Sequence, residues 1–148
     1  MVMNDPQLCT PNHIDSWMKL AQDVEYLFGP MPDLQTHVQR GIRRGTAMVT
    51  LEAETVIGAM LLSGPGKPQY IRWLAVHPHY RNLGVGGALL ASAIRHWPEG
   101  DILVVTFPAN HIGGQAAQRL YQQNGFRSQG STDPAPDGSS RELFVLSR

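Results

Sequence analysis

The chain has 148 residues with 42% hydrophobic content, which suits one domain, spanning residues 1–148, with a substantial core. Its 12 basic and 12 acidic residues cancel, so no overall field draws it to nucleic acid or to an acidic membrane. A lone cysteine, Cys9, excludes an internal disulfide, and there is neither a secretory leader pattern nor an apolar run of about 18 residues. The expectation is a soluble, cytoplasmic protein.

Met1 to Cys9 carry no usable pattern. Thr10-Pro11 offers a hydroxyl N-cap followed by proline at the first helical position. Ile14, Trp17, Met18, Ala21, Val24 and Phe28 then recur at helical spacing, which predicts one amphipathic helix to about Phe28. Gly29-Pro30-Met31-Pro32 ends it. Asp33 is placed to cap a second helix with Leu34, Val38 and Ile42 on one face, closed by Arg43, Arg44 and Gly45. Thr46 to Ala53 and Thr55 to Ser63 read as strands joined by a tight turn at Glu52-Ala53-Glu54. Gly64-Pro65-Gly66-Lys67-Pro68 is a second turn.

β-Branched and aromatic residues then run from Tyr70 to Val76 as a strand, which Pro78 stops. Past the glycines, Gly87, Leu90, Ala91, Ile94 and Trp97 form an apolar stripe that predicts a helix lying on the sheet and ending at Pro98-Glu99-Gly100. Asp101 to Phe107 reads as a buried strand, and a strand-helix-strand unit of this kind implies a parallel pair. Gly113-Gly114 opens a helix over Gln115 to Asn124, with Ala117, Leu120 and Tyr121 facing inward and Gly125 just past its end. Phe126 to Gln129 and Glu142 to Leu146 are the closing strands. The Ser/Asp/Pro/Gly-rich segment Gly130 to Ser140 between them reads as a mobile loop.

The strand-to-helix junction after Val76 has the chemistry of an anion site. Backbone N–H groups at a helix start lack intrahelical partners and lie at the positive end of the helix dipole. Gly84, Gly86 and Gly87 clear side chains from the approach, and Arg81 adds a permanent positive charge. No Asp or Glu occurs between Thr55 and Trp97. A packed helix and hydrophobic strands exclude carboxylates for structural reasons, and a polyanionic cofactor would be repelled by them; both accounts fit. No Lys-Ser/Thr follows the glycines, as a Walker loop needs, and the dinucleotide Gly-x-Gly-x-x-Gly spacing is absent.

Arg81-Asn82-Leu83-Gly84-Val85-Gly86, following Leu74-Ala75-Val76-His77-Pro78, resembles the pyrophosphate loop of the GNAT superfamily of acyl-CoA-dependent N-acyltransferases. Ala117, Leu120-Tyr121 and Gly125-Phe126 follow at the family's distance. The resemblance covers Thr46 to Phe126 and implies an α/β (α+β) fold: a mixed, mostly antiparallel sheet flanked by helices, with a parallel strand pair splayed at the cofactor site. The family usually begins with a strand, which here is short or missing. The implied cofactor is acetyl-CoA. Its pantetheine arm would bond the main chain of Leu74, Ala75 and Val76, and its diphosphate would meet Arg81, Asn82, Leu83, Gly84, Val85, Gly86 and Gly87. Tyr121 matches the tyrosine that assists the departing thiolate, against which stands an ordinary core tyrosine whose hydroxyl finds a local partner. Where many members carry a cofactor-binding asparagine this chain has Gly114, and Asn110 is the nearby substitute or a plain loop residue.

The implied reaction is direct transfer of an acetyl group to a primary amine of a small molecule or peptide in a ternary complex. An alkylammonium with a pKa of about 10.4 must lose a proton before it attacks. Glu25, His77, His79, His111 or a water chain are the candidate bases, each histidine also reading as a surface or capping residue. The first two helices form much of the acceptor wall in the family, which nominates Glu25, Tyr26, Phe28 and Met31 for substrate contacts. No His/Cys/Asp cluster has metal-ligand spacing and no nucleophile elbow is present. Neither nucleic acid nor membrane is expected as a partner, and a homodimer is compatible with the resemblance. One rival is a catalytically silent acyl-CoA-binding or regulatory protein. The other is an interaction module acting through Gly130 to Ser140.

Overall fold

The computed structural model describes residues 5–148. A seven-stranded sheet in the order β1-β2-β3-β4-β5-β7-β6 forms its centre. The strands are β1 Gln7–Leu8, β2 Ala47–Glu52, β3 Thr55–Leu62, β4 Tyr70–Val76, β5 Ile102–Thr106, β6 Arg127–Thr132 and β7 Arg141–Leu146. Only β4 and β5 run parallel, because α4 (Val85–His96) carries the chain between them, while the other neighbours are antiparallel. The expected mixed, mostly antiparallel sheet with flanking helices is what the chain builds. Its first strand, two residues paired with Val49 and Met48, is the short one anticipated; Met1 to Asn4 of the unread N-terminal stretch lie outside the described residues.

Helices cover both faces, so β3 is buried on both sides and reads as a continuous apolar run. On one face, α1 (Ile14–Asp23) and α3 (Leu34–Arg44) bring Trp17, Leu20, Leu34 and Val38 against Val49, Ala59, Leu61, Trp73 and Ala75. On the other, α4 and α5 (Gly114–Gln123) bring Val85, Leu89, Leu90, Ala93 and Tyr121 against Met60, Ile71, Ile102, Val104, Phe126 and Phe144. Fully burying one such large side chain contributes about 1.5–3 kcal/mol. Ser16 Oγ accepts the Val56 N–H at 2.8 Å and ties α1 to the start of β3.

Several local expectations are corrected. The single helix predicted to Phe28 is broken at Val24 (φ −110°, ψ 8°), after which a separate short helix, α2 (Glu25–Phe28), begins. Val24 is fully buried, and packing rather than helical propensity sets its backbone. The opening turn is a 3-10 turn, Pro11–His13, where the His13 ring accepts the Thr10 N–H at 3.0 Å. Asp33 precedes α3 but caps it only through its carbonyl, which accepts the His37 N–H. The fully buried stripe of α4 is Val85, Gly86, Leu89, Leu90 and Ala93, rotated from the predicted one, in which Gly87, Ala91, Ile94 and Trp97 are only half-buried. The reason lies on the sheet: a Cβ on Gly58 would meet Val85 Cγ1 at 2.6 Å, so the missing side chain lets the start of α4 settle there. Finally, β6 runs on to Thr132 through an irregularity between Ser128 and Ser131, so Gly130, Ser131 and Thr132 are strand, not loop.

Candidate active site

β4 and β5 pair at two positions only, Tyr70 with Leu103 and Ile71 with Val104, and part beyond them. β4 stays paired with β3 as far as Val76 opposite Gly58, and the His77 N–H extends that ladder to the Ile57 carbonyl at 2.8 Å. Alternate residues of an antiparallel strand turn their N–H and C=O groups to alternate edges. The main chain of Ala75 is therefore used on β3, whereas Leu74 and Val76 present theirs to the gap.

A bulge aims the side chains along this strand. Leu61 faces Trp73 and Leu62 faces Ile71, so Arg72 is an extra residue in β4. Without it Ile71 and Trp73 would share a face. With it, Ile71 joins Leu74 and Val76 on the α4/α5 side, and Trp73 joins Ala75 on the α1/α3 side. The parted strands open a cleft of about 1290 Å³ bounded by α2, the β4–α4 loop, α5 and the β6–β7 hairpin.

At one end of the cleft lies the turn into α4. Asn82 (φ 62°) and Gly84 (φ 85°) both take left-handed backbone there. The first helical bond runs from the Ala88 N–H to the Gly84 carbonyl at 3.0 Å, and the N–H groups of Val85, Gly86 and Gly87 find no acceptor among the described residues. The three glycines differ in role. Gly84 supplies the positive φ; a Cβ on Gly86 would meet Leu120 Cδ2 of α5 at 2.9 Å; one on Gly87 would meet nothing within 4 Å. Arg81, in the same turn, and Arg119 of α5 both line the cleft without an ion pair among the described residues. Free amides, open space and two guanidiniums suit a diphosphate.

Tyr121 lines the cleft at 4% exposure, packed on Phe126 and Phe144 at ring-centroid distances of 5.8 and 6.0 Å. Its hydroxyl has no hydrogen-bond partner among the described residues, so the local partner expected of a packing tyrosine is missing. Burial drives its phenol well above the ordinary range, which keeps the proton on Oη at neutral pH. Burial likewise pushes the Cys9 thiol up to about 11, far from any reactive state.

The other wall is aromatic. Phe28 stands 5.5 Å from Trp73 and 5.2 Å from Phe107, and Phe107 stacks on His111 at 4.1 Å. Glu25, Tyr26 and Met31 line this wall with Phe28, so all four nominated acceptor contacts face the cleft. His111 Nδ1 accepts the Gly113 N–H at 3.0 Å, so the neutral ring carries its proton on Nε2 and donates rather than accepts there. His77 Nδ1 accepts the His79 N–H and its Nε2 faces Asp23 at 3.3 Å, which makes it a capping residue. Asp137 also borders the cleft, but its Oδ1 is held by the Ser139 N–H and hydroxyl. Glu25 is left as the cleft's carboxylate without such a partner among the described residues.

Of the nominated cofactor contacts, Leu74, Ala75, Val76, Arg81, Asn82, Gly84, Val85, Gly86 and Gly87 line the cleft; Leu83 and Asn110 are exposed and do not. Gly114 has a local explanation: a Cβ there would lie 1.8 Å from the Pro108 carbonyl oxygen, so the folded-in loop takes the place of a side chain. Tyr70, Arg72, Trp73, Phe107 and Arg119 line the cleft as well and were not nominated. The described residues contain no group of three His, Cys, Asp or Glu able to hold a metal, and none of their helices is long and apolar enough to cross a membrane.

A family model described as the acetyltransferase (GNAT) domain matches residues 43–128. The chain belongs to the GNAT family. Acetyl-CoA is that family's acyl donor, and the parted strands with free amides beyond them fit such a molecule. A search of curated protein sequences finds no match. Among solved structures, a GNAT-family acetyltransferase from Bacillus cereus ATCC 10987 superposes with a TM-score of 0.81 at 18% identity, over 100% of this chain and 99% of that one. The ribosomal-protein-S18-alanine N-acetyltransferase of Escherichia coli gives 0.77 at 18% identity, over 98% and 94%. The PaiA N-acetyltransferase of Thermoplasma acidophilum, in complex with coenzyme A, gives 0.73 at 13% identity, over 100% of both. At these identities the likeness concerns the GNAT fold.

Proposed function

We propose that this GNAT domain acetylates a primary amine of a small molecule or peptide by direct attack within a ternary complex. The observation that carries the reading is the hydroxyl of the buried Tyr121 ring, without a partner among the described residues and open to the cleft that also holds the free main chain of Leu74 and Val76. Bound acetyl-CoA supplies a thioester carbon that an amine nitrogen can attack, with the C–S bond breaking as the C–N bond forms. The Val76 and Leu74 amides are placed to orient the pantetheine arm as an added strand and to polarise the acetyl oxygen. The N–H groups of Val85, Gly86 and Gly87, with Arg81, grip the diphosphate, while Asn82 and Gly84 shape the turn that aims them.

Tyr121 Oη holds a proton that it shares with or passes to the departing sulfur. An unperturbed thiol titrates near about 8.5, so the thiolate leaves readily and the phenol need only assist. Glu25, alone or through water, takes the proton that the ammonium must lose. Tyr26, Phe28 and Met31 hold the body of the acceptor, and Trp73 and Phe107 close the wall behind it.

Calorimetry with acetyl-CoA, followed by thiol release across a panel of amines, tests the reading. Binding with turnover on at least one amine is expected. Binding with no turnover on any acceptor would leave a silent acyl-CoA binder, and no binding at all would end the assignment.

A further inference from the structure

A second cavity of about 460 Å³ adjoins the cleft between α3, the Met31-Pro32-Asp33 connection and the β3–β4 turn. It shares Met31, Arg72 and Trp73 with the cleft, so one continuous surface joins the two. Its rim carries His37, Arg40, Arg44 and Arg72 against a single carboxylate, Asp33. His37, Arg40 and Arg44 lie three and four residues apart, on one face of α3. The guanidiniums of Arg40, Arg44 and Arg72 have neither an ion pair nor a hydrogen bond among the described residues.

Two features hold these charges in place. Gly41, midway along the basic face, lets α3 press onto the sheet: a Cβ there would meet Leu61 Cδ2 at 2.9 Å and Ala47 Cβ at 3.0 Å. Gly64 in the β3–β4 turn does the same for a side chain, since Arg44 Nη1 lies 3.1 Å from where a Cβ on Gly64 would stand. Arg44 thus folds over the turn with its stem against the backbone. Arg72 is the bulge residue of β4, and the extra residue places its guanidinium where cleft and cavity meet.

We propose that this cavity binds an acidic side chain of a peptide acceptor whose terminal amine lies in the cleft, a specificity site that rests on the acetyltransferase reading above. Three unpaired guanidiniums facing one carboxylate select for carboxylate, which a guanidinium grips in a two-pronged geometry. The spacing selects a peptide. β4 rises about 3.3 Å per residue, so the main chain of Leu74 and Val76 lies about 7 and 13 Å along the strand from Arg72. An extended peptide covers that distance in two to four residues, which puts the acidic side chain at the second to fourth position from the reacting amine. A free amino dicarboxylate is too short to fill both ends.

The test uses the full chain, with and without CoA, titrated calorimetrically at low salt with two C-terminally amidated tetrapeptides, Ser-Glu-Glu-Leu and Ser-Gln-Gln-Leu, and with free glutamate. The acidic peptide is expected to bind about tenfold more tightly than the glutamine peptide, an advantage that shrinks as added salt screens the charges. Arg40→Gln/Arg44→Gln should bring the ratio of the two affinities towards one, and Arg72→Gln should lower it separately, in variants whose melting matches the parent. Equal affinities in the parent chain, a ratio unmoved by the substitutions, or glutamate binding as tightly as the acidic peptide would each overturn the proposal. Because the peptides are titrated directly, loss of CoA binding would count against the acetyltransferase reading, whereas CoA binding with a ratio of one would count against this site alone.

Discussion

The carbonyl oxygen of Pro108 sits 1.8 Å from the point where a Cβ on Gly114 would project. The same oxygen accepts the His111 N–H at 3.0 Å, and the Gly114 N–H goes to the His111 carbonyl at 2.9 Å, so the turn is closed around a residue that has no room for a side chain. Gly114→Ala must displace the backbone of Pro108, and we expect it to cost about 3 kcal/mol of stability, at the upper end for overpacking. Urea unfolding measures this. A variant as stable as the parent would mean that the turn yields freely.

At the other glycine end the expectation is opposite for folding and severe for binding. Gly87 has open space around its Cβ position and ordinary helical backbone, so Gly87→Glu should fold normally. It places a carboxylate beside the free N–H groups of α4, and affinity for CoA should fall by at least about a hundredfold, the loss of more than one charge-assisted hydrogen bond. Undiminished binding by calorimetry would remove the diphosphate from that turn.

Tyr121→Phe deletes one oxygen that has no partner among the described residues, so it leaves no acceptor or donor stranded in the core. Stability and CoA affinity should be nearly unchanged while kcat drops about ten- to a hundredfold, in the range for a positioned proton donor. Steady-state thiol release decides it: full turnover in the variant would return the ring to a packing role.

Cys9 gives a prediction about alkaline stability. Burial holds its thiol at about 11 against an ordinary 9.0, so the folded-state value is the raised one. Stability from this group is complete below about pH 9 and lost as pH rises towards 11, because the unfolded thiol ionises first; the slope is up to about 1.4 kcal/mol per pH unit. Tyr121 shifts in the same direction and steepens the loss above about pH 10. Chemical denaturation from pH 8 to 11 should show this decline, and Cys9→Ala should flatten its first part. A parent curve level across that window would contradict the assigned burial.

What could be read from the sequence was what local chemistry dictates. Proline, glycine and β-branched runs gave the strand from Tyr70, the turn and the helix after it, because each choice is made within a few residues. The glycine turn and the inward face of Tyr121 followed for the same reason. That the bulge falls at Arg72 could not be read, since its place exists only in the register between β4 and β3, and with it went the direction of Trp73. The rotated face of α4 depends on Gly58, a distant residue whose missing side chain is filled by Val85. The continuation of β6 through Gly130, Ser131 and Thr132 escaped notice because Arg127 to Ser131 are all exposed, so no apolar alternation marks where the strand ends. Asn110 and His111 are neighbours in sequence, yet only His111 borders the cleft, a sorting made by its ring stacking on Phe107.

Trp17 and Trp73 stack at 5.7 Å, the first fully buried and the second a wall of the cleft, and the Nε1 of each is unpartnered. Anything that enters beside Trp73 changes the polarity around an indole that is stacked on a second, fully buried one, so intrinsic emission reports acceptor entry without a label. The third tryptophan, Trp97, lies at the far end of α4 and serves as an internal reference. Replacing Trp73 with Phe would silence that signal and show which indole carried it.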